Sequence, residues 1–111
     1  MKKRKLKRKR GQRRALLKSL IRELILREKI ITTEAKAKET ARIFQKLVEK
    51  AKSEKESQRK KLLEWVKDEA LKKLIYEIGP RYKERKGGYV RVIKLNRRIS
   101  DGAKMAILEL V

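Results

Sequence analysis

Ten of the first fourteen residues are Lys or Arg, and no acidic residue stands among them. Lys2, Lys3, Arg4, Lys5, Lys7, Arg8, Lys9, Arg10, Arg13 and Arg14 repel one another and resist folding back onto a core unless a polyanion neutralises them. The start of the chain therefore reads as an extended basic arm, residues 1–11, ending near Gly11. A single α/β domain has to be built from residues 12–111. Nucleic acid is the obvious polyanion, because each neutralised phosphate releases a condensed counterion. A basic membrane helix would need bulky apolar residues among its charges, and residues 1–14 offer only Met1 and Leu6.

The net charge of +22 on 111 residues is unevenly spread. Residues 1–14 carry +10, residues 15–52 carry +5 and residues 53–78 only +1. Residues 79–98 carry +7 and the last thirteen −1. Two blocks thus hold the excess, while acids balance bases through the middle as on an ordinary solvated helix face.

Hydrophobic residues make up 40% of the chain, enough for a folded body. With no Cys and no His, zinc fingers, soft metal sites, Cys nucleophiles and His-based acid–base catalysis are excluded. No constellation of Ser, Lys, Glu and Asp replaces them, so no enzymatic activity and no cofactor are expected. No stretch approaches the roughly 18 apolar residues of a membrane span. No continuous apolar region follows the basic start as a signal peptide would require. The chain is expected to remain in the cytoplasm.

Apolar spacing lays out the body. Leu16, Leu17, Leu20, Ile21, Leu24 and Ile25 recur at helical intervals and predict a helix over 12–28. Ile30, Ile31 and Thr32 suit a short strand. Thr33 can cap a second helix reaching Lys52, with Glu34 in its first turn. Residues 53–57 form a polar loop. Leu62, Leu63, Trp65 and Val66 mark a third helix, and Asp68 can cap a fourth carrying Leu71, Leu74, Ile75 and Ile78. Pattern alone leaves open whether 57–78 is one helix or two. Gly79-Pro80 reads as a helix stop. A basic loop, 81–88, leads to a strand at Tyr89–Leu95, a turn at 96–102 and a final strand from Lys104. The fold class is α+β: helices on a small three-stranded mixed sheet in two layers, preceded by the arm.

Candidate nucleic-acid ligands follow from the charge. Arg4, Lys5, Arg8, Arg10, Arg13 and Arg14 come first, since Arg contacts phosphates in bidentate fashion and stacks on bases. Lys36 and Lys38 point about 200° apart on a helix and cannot both face one groove alike. Arg81, Arg85, Arg91 and Arg98 belong to the second block. Gly87 and Gly88 let a phosphate approach the peptide amides there. Tyr82 and Tyr89 flank that loop and can stack on bases or pack against the helices. Phe44, Trp65 and Tyr76 lie on helical stripes and read as core or protein contacts.

The residues then become recognisable. Thr32-Thr33-Glu34-Ala35-Lys36-Ala37-Lys38-Glu39 resembles the signature of the bacterial large-subunit ribosomal protein family called L-seventeen. Gly79-Pro80-Arg81-Tyr82 with Arg85 and Gly87-Gly88-Tyr89-Val90-Arg91 is similar to a second segment of that family. Arg4-Lys5-Leu6, Arg8 and Arg13-Arg14-Ala15-Leu16-Leu17 match a third. Arg98, Asp101, Ala103, Met105, Ala106, Glu109, Leu110 and Val111 match the end. The matches keep the family's order over nearly the whole chain. Gln12, Ser19, Val90 and Ser100 depart from it, standing where His, Asn, Thr and Gly are usual. The resemblance implies a structural constituent of the large subunit that binds and stabilises folded ribosomal RNA near the polypeptide exit region. It implies neighbouring ribosomal proteins as further partners, and neither a membrane nor a small-molecule substrate.

Two other readings share the composition. One is a nonspecific DNA- or RNA-binding architectural protein acting off the ribosome. The other is a nuclease holding Mg²⁺ on Asp101 and Glu109, although such sites need more clustered acids.

Overall fold

The computed structural model describes residues 10–111. Helix α1 spans Arg10–Arg27 and buries Leu17, Ile21, Leu24 and Ile25. It starts two residues earlier than expected, so Gly11 lies inside its exposed first turn, where a side chain would meet nothing. The remainder of the expected arm, residues 1–9, lies outside the described residues. Glu28 ends the helix with φ 63°, a left-handed conformation usually left to Gly. Its N–H donates to the Leu24 carbonyl at 2.7 Å.

Strand β1 (Lys29–Thr33) follows at once. Thr33 then caps helix α2 (Glu34–Lys52) as expected, its Oγ1 accepting from the Lys36 N–H at 3.4 Å. Helix α2 lies on the sheet and buries Ala37, Thr40, Ala41, Phe44, Leu47, Val48 and Ala51.

The region 56–81 is two helical pieces. Short helix α3 (Glu56–Lys60) runs into a 3₁₀ turn, Lys61–Glu64, that buries Leu62. Helix α4 begins at Asp68–Lys73, continues as a π turn, Leu74–Ile78, and closes with Gly79–Arg81. Two expectations change here. Asp68 does not cap the helix; it is the first helical residue, with φ 51°, and Lys67 occupies the cap position without a side-chain bond. Gly79-Pro80 does not stop the helix either, because the wider π turn accommodates a proline that would break a regular ladder. The role of Gly79 is close packing: a Cβ there would sit 3.3 Å from the carbonyl oxygens of Ala51 and Leu74. Leu63 and Tyr76 are exposed, and Trp65 packs on the margin of the core.

Strands β2 (Val90–Arg97) and β3 (Lys104–Leu110) complete the sheet in the order β1-β3-β2. The sheet has the expected three strands but is wholly antiparallel rather than mixed. Connectivity explains the difference: β2 and β3 form a hairpin, and β1 returns beside β3 through the helical segment. Register sorts the faces. Ile30, Leu108 and Val92 align on the inner face under α2, whereas Ile31, Ile107 and Ile93 align on the outer one. All helices cover one side, giving the two-layer α+β architecture.

Candidate nucleic-acid interface

Among the described residues no group of acids, His or Cys is placed to hold a metal, and no helix is long and apolar enough to cross a membrane. The chemistry available is a distribution of cations, decided by which of them are already engaged inside the protein.

Arg4, Lys5 and Arg8 lie outside the described residues. Arg10, Arg13 and Arg14 stand on the first turns of α1 and are exposed. Arg13 pairs with Glu39 of α2, and the Arg14 guanidinium lies 4.8 Å from the centre of the Trp65 ring. Both residues therefore also fasten the start of α1 to the body. Lys36 is exposed on α2; Lys38 pairs with Glu34 at 3.0 Å and holds that carboxyl below its usual range. Arg13, Lys38 and Arg42 converge on one groove of about 390 Å³, bordered by Ala35 and Glu39. Residues 25 positions apart in sequence thus meet at one basic surface. Arg42 was not singled out from the sequence, yet its i,i+4 spacing from Lys38 places both on the same helix face.

The second block divides differently. Arg81 forms a bidentate pair with Glu28 at 2.5 and 2.9 Å, which raises the guanidinium pKa further. That pair, joined by Lys73 at 3.0 Å, lowers the Glu28 carboxyl to about 2. Arg98 grips Asp101 at 2.9 and 2.7 Å; this bond and the Ala103 N–H hold the Asp101 carboxyl at about 2. Arg91 pairs with Glu109 at 2.7 Å. Asp101 and Glu109, the acids a nuclease would need, are each held by an arginine and sit apart, one in the hairpin turn and one near the end of β3.

Tyr82 and Tyr89 are buried, their ring centres 5.1 Å apart. Stacking on bases does not fit, since both rings are already packed in the core. The Tyr82 hydroxyl donates to the Val111 carbonyl at 2.8 Å. Tyr89 donates its N–H to Gln45 and its hydroxyl to Glu49, and accepts from Lys52 Nζ at 2.9 Å. This buried network carries the basic loop. Lys52 Nζ also donates to the Arg85 carbonyl at 2.6 Å, and Arg85 Nε donates back to the Gly87 and Gly88 carbonyls at 3.1 and 3.2 Å. Gly87 and Gly88 adopt φ 130° and 62°, with open space or only the Arg85 guanidinium near a would-be Cβ, so conformation requires them here. The result is a fixed loop presenting Lys83, Arg85 and Lys86 outward.

Comparison with known proteins places this surface in context. A family model described as Ribosomal protein L17 matches residues 16–111. The chain is 50% identical to the large ribosomal subunit protein bL17 of Natranaerobius thermophilus, the match covering 96% of each chain. It is 49% identical to the bL17 protein of Borrelia hermsii, over 96% of this chain and 87% of that one. It is 46% identical to that of Caldanaerobacter subterraneus subsp. tengcongensis, over 97% of each. The family is one of ribosomal proteins, not enzymes. With nearly its whole length matched and its basic residues arranged around an α+β body, the chain belongs to the ribosomal protein L17 family.

Proposed function

We propose that this protein is a structural constituent of the large ribosomal subunit, binding and stabilising folded ribosomal RNA near the polypeptide exit region in the cytoplasm. The observation that carries the reading is the groove in which Arg13, Lys38 and Arg42 meet beside the start of α1. The acid-free residues 1–9 continue from that point in sequence. Mechanistically the protein neutralises phosphates and reads the shape of the RNA. Duplex RNA has a deep, narrow major groove, so contacts fall on phosphates and 2′-hydroxyls rather than on base edges. The Gly87-Gly88 loop, with Lys83, Arg85 and Lys86, supplies a second contact. Arg81, Arg91 and Arg98 contribute mainly by holding the scaffold, because acids already take much of their charge.

Neighbouring large-subunit proteins are the proposed second class of partner. The outer face of the sheet presents Ile31, Ile107 and Ile93 in one cross-strand row, with Ile31 62% exposed. A row of this kind fits a protein neighbour better than a phosphate backbone.

The test is binding to large-subunit ribosomal RNA over a salt series. If about eight phosphates are neutralised, raising salt from about 50 to about 200 mM weakens binding by roughly 10³–10⁵. A flat response refutes the electrostatic mechanism. Sedimentation separates this role from an architectural one: the protein stays with large subunits through a moderate-salt wash and does not follow DNA.

A further inference from the structure

The chain's one tryptophan sits at a cavity. Trp65 follows the 3₁₀ turn and is half-buried, packed on the core margin with the Arg14 guanidinium over its ring. It borders a cavity of about 330 Å³ between α1 and the start of α4. That volume lies at the low end of small-molecule sites, the size for one compact ligand. Leu63, Val66 and Ala70 give it apolar wall, and Ser19, Glu64 and Asp68 give it hydrogen-bonding groups. Lys18, Arg22 and Lys67 also line it, and none of the three pairs with a carboxylate among the described residues. Asp68 at its edge holds φ 51°, a backbone conformation that costs a non-glycine residue free energy and is enriched where a ligand is gripped.

An aromatic ring, an apolar wall and three unpaired cations around a volume of this size match a nucleotide. An apolar side chain of a protein partner would fill the wall but leave the cations unneutralised. We infer that this cavity takes one unpaired nucleotide extruded from the ribosomal RNA. The inference rests on the RNA-binding reading above and deepens it. The base lies against the Trp65 indole, and the phosphate is met by Lys18, Arg22 and Lys67. Glu64 is drawn off by Arg14 at 3.8 Å, which leaves Asp68 as the carboxylate for the base. A carboxylate only accepts, and guanine presents two adjacent N–H donors on its Watson–Crick edge, so guanine is the preferred base. The rest of the protein contacts RNA through phosphates, whereas this pocket reads a base, and single-stranded positions are where proteins read RNA sequence.

Trp65 emission reports the site directly, with no competing tryptophan. The full chain is titrated with guanosine monophosphate, uridine monophosphate and inorganic phosphate at constant ionic strength. The expected result is saturable quenching by guanosine monophosphate, weaker binding of uridine monophosphate, and no quenching by phosphate. Replacing Lys18→Gln together with Lys67→Gln, both exposed and outside the core, weakens nucleotide binding by about 3- to 30-fold. Asp68→Asn erases the preference for guanine. In parallel, wild type and Trp65→Leu are bound to large-subunit ribosomal RNA and the bases are probed chemically. One unpaired guanine protected by wild type becomes reactive with Trp65→Leu, and affinity drops by about 5- to 100-fold, the range for one base stacked on an aromatic. No quenching by either nucleotide, quenching by phosphate alone, or base protection by Trp65→Leu identical to that of wild type overturns the inference, while ribosomal RNA retention would leave the broader reading intact. Failure of wild type to retain ribosomal RNA overturns the broader reading instead, and the nucleotide titration still judges the cavity.

Discussion

Glu28 joins three parts of the molecule, and its replacement by Gln gives a prediction with a sign and a size. The residue ends α1, precedes β1, and receives Arg81 and Lys73 from α4. Its backbone carbonyl also accepts from the Leu110 N–H at 3.0 Å, tying in the chain's end. Arg81, and then Lys73, hold the carboxyl at about 2 against an ordinary 4.5. A depression of that size corresponds to about 3 kcal/mol at face value. Roughly a third of the Glu28 and Arg81 side chains is exposed, so solvent screening reduces this to about 1–2 kcal/mol. The folded state's pKa is the lower one. The stabilisation is therefore full above about pH 5 and fades as pH falls through 4.5 towards 2. Urea unfolding of wild type and Glu28→Gln should differ by about 1–2 kcal/mol at pH 7, with the gap shrinking steadily below pH 4. For a domain of this size that corresponds to about 4–8 °C in Tm at neutral pH. Glu28→Gly loses the same ion pairs but relaxes the φ of 63°, so it should cost less than Glu28→Ala. The Glu28→Gln/Arg81→Gln double variant should be less destabilised than the sum of the singles. A gap that stays constant from pH 7 to pH 3, or strict additivity with Arg81→Gln, would refute the reasoning.

Three further changes test other parts of the structure. Gly79→Ala should destabilise the fold by about 1–2 kcal/mol, seen as a lower Tm, because its Cβ would press on the carbonyls of Ala51 and Leu74 at 3.3 Å. Thr40→Val should leave stability equal or raise it by about 1 kcal/mol in urea melts, since the buried Thr40 hydroxyl has no partner and Val keeps the shape. Replacing Arg13, Lys38 and Arg42 together by Gln should weaken ribosomal RNA binding and lower the salt slope by about 1–2, measured by filter retention, with Arg42 contributing most because Glu39 and Glu34 already share the charge of Arg13 and Lys38. Arg91→Gln with Arg98→Gln should lower that slope by less than one, because Glu109 and Asp101 already neutralise those cations.

The order of elements was legible because its signals are local. Periodic leucines and isoleucines define α1, the Thr33 cap sets the start of α2, and β-branched runs give the strands. What escaped the sequence depends on contacts between distant segments. The π turn that carries the chain past Pro80 is favoured by packing of Leu74 and Ile78, not by local propensity. The all-antiparallel sheet follows from where β1 docks, and no residue of Ile30–Thr32 encodes that choice. Tyr82 and Tyr89 looked available for stacking because they flank a basic loop, yet their rings form the core floor that supports it.

The same limit governs the interface. A count of basic residues cannot say which are available to RNA; that is decided by where the acids land in three dimensions. Of the arginines read as ligands in the second block, Arg81, Arg91 and Arg98 meet Glu28, Glu109 and Asp101, partners up to 53 residues away. Each pair fixes a junction: the end of α1 to α4, two strands of the sheet, and the hairpin turn. These three acids are thus placed on cations that hold the scaffold. Cations with no acid partner among the described residues include Arg42 at the α1–α2 groove, Lys83 and Lys86 beside the Gly87-Gly88 loop, and Lys18, Arg22 and Lys67 beside Trp65. The short-range pairs make the body rigid, and that rigidity sets the unpaired cations at fixed spacings. A folded RNA, whose phosphates are themselves fixed in space, can be read by such an array, whereas a mobile polycation of equal charge would bind without discrimination.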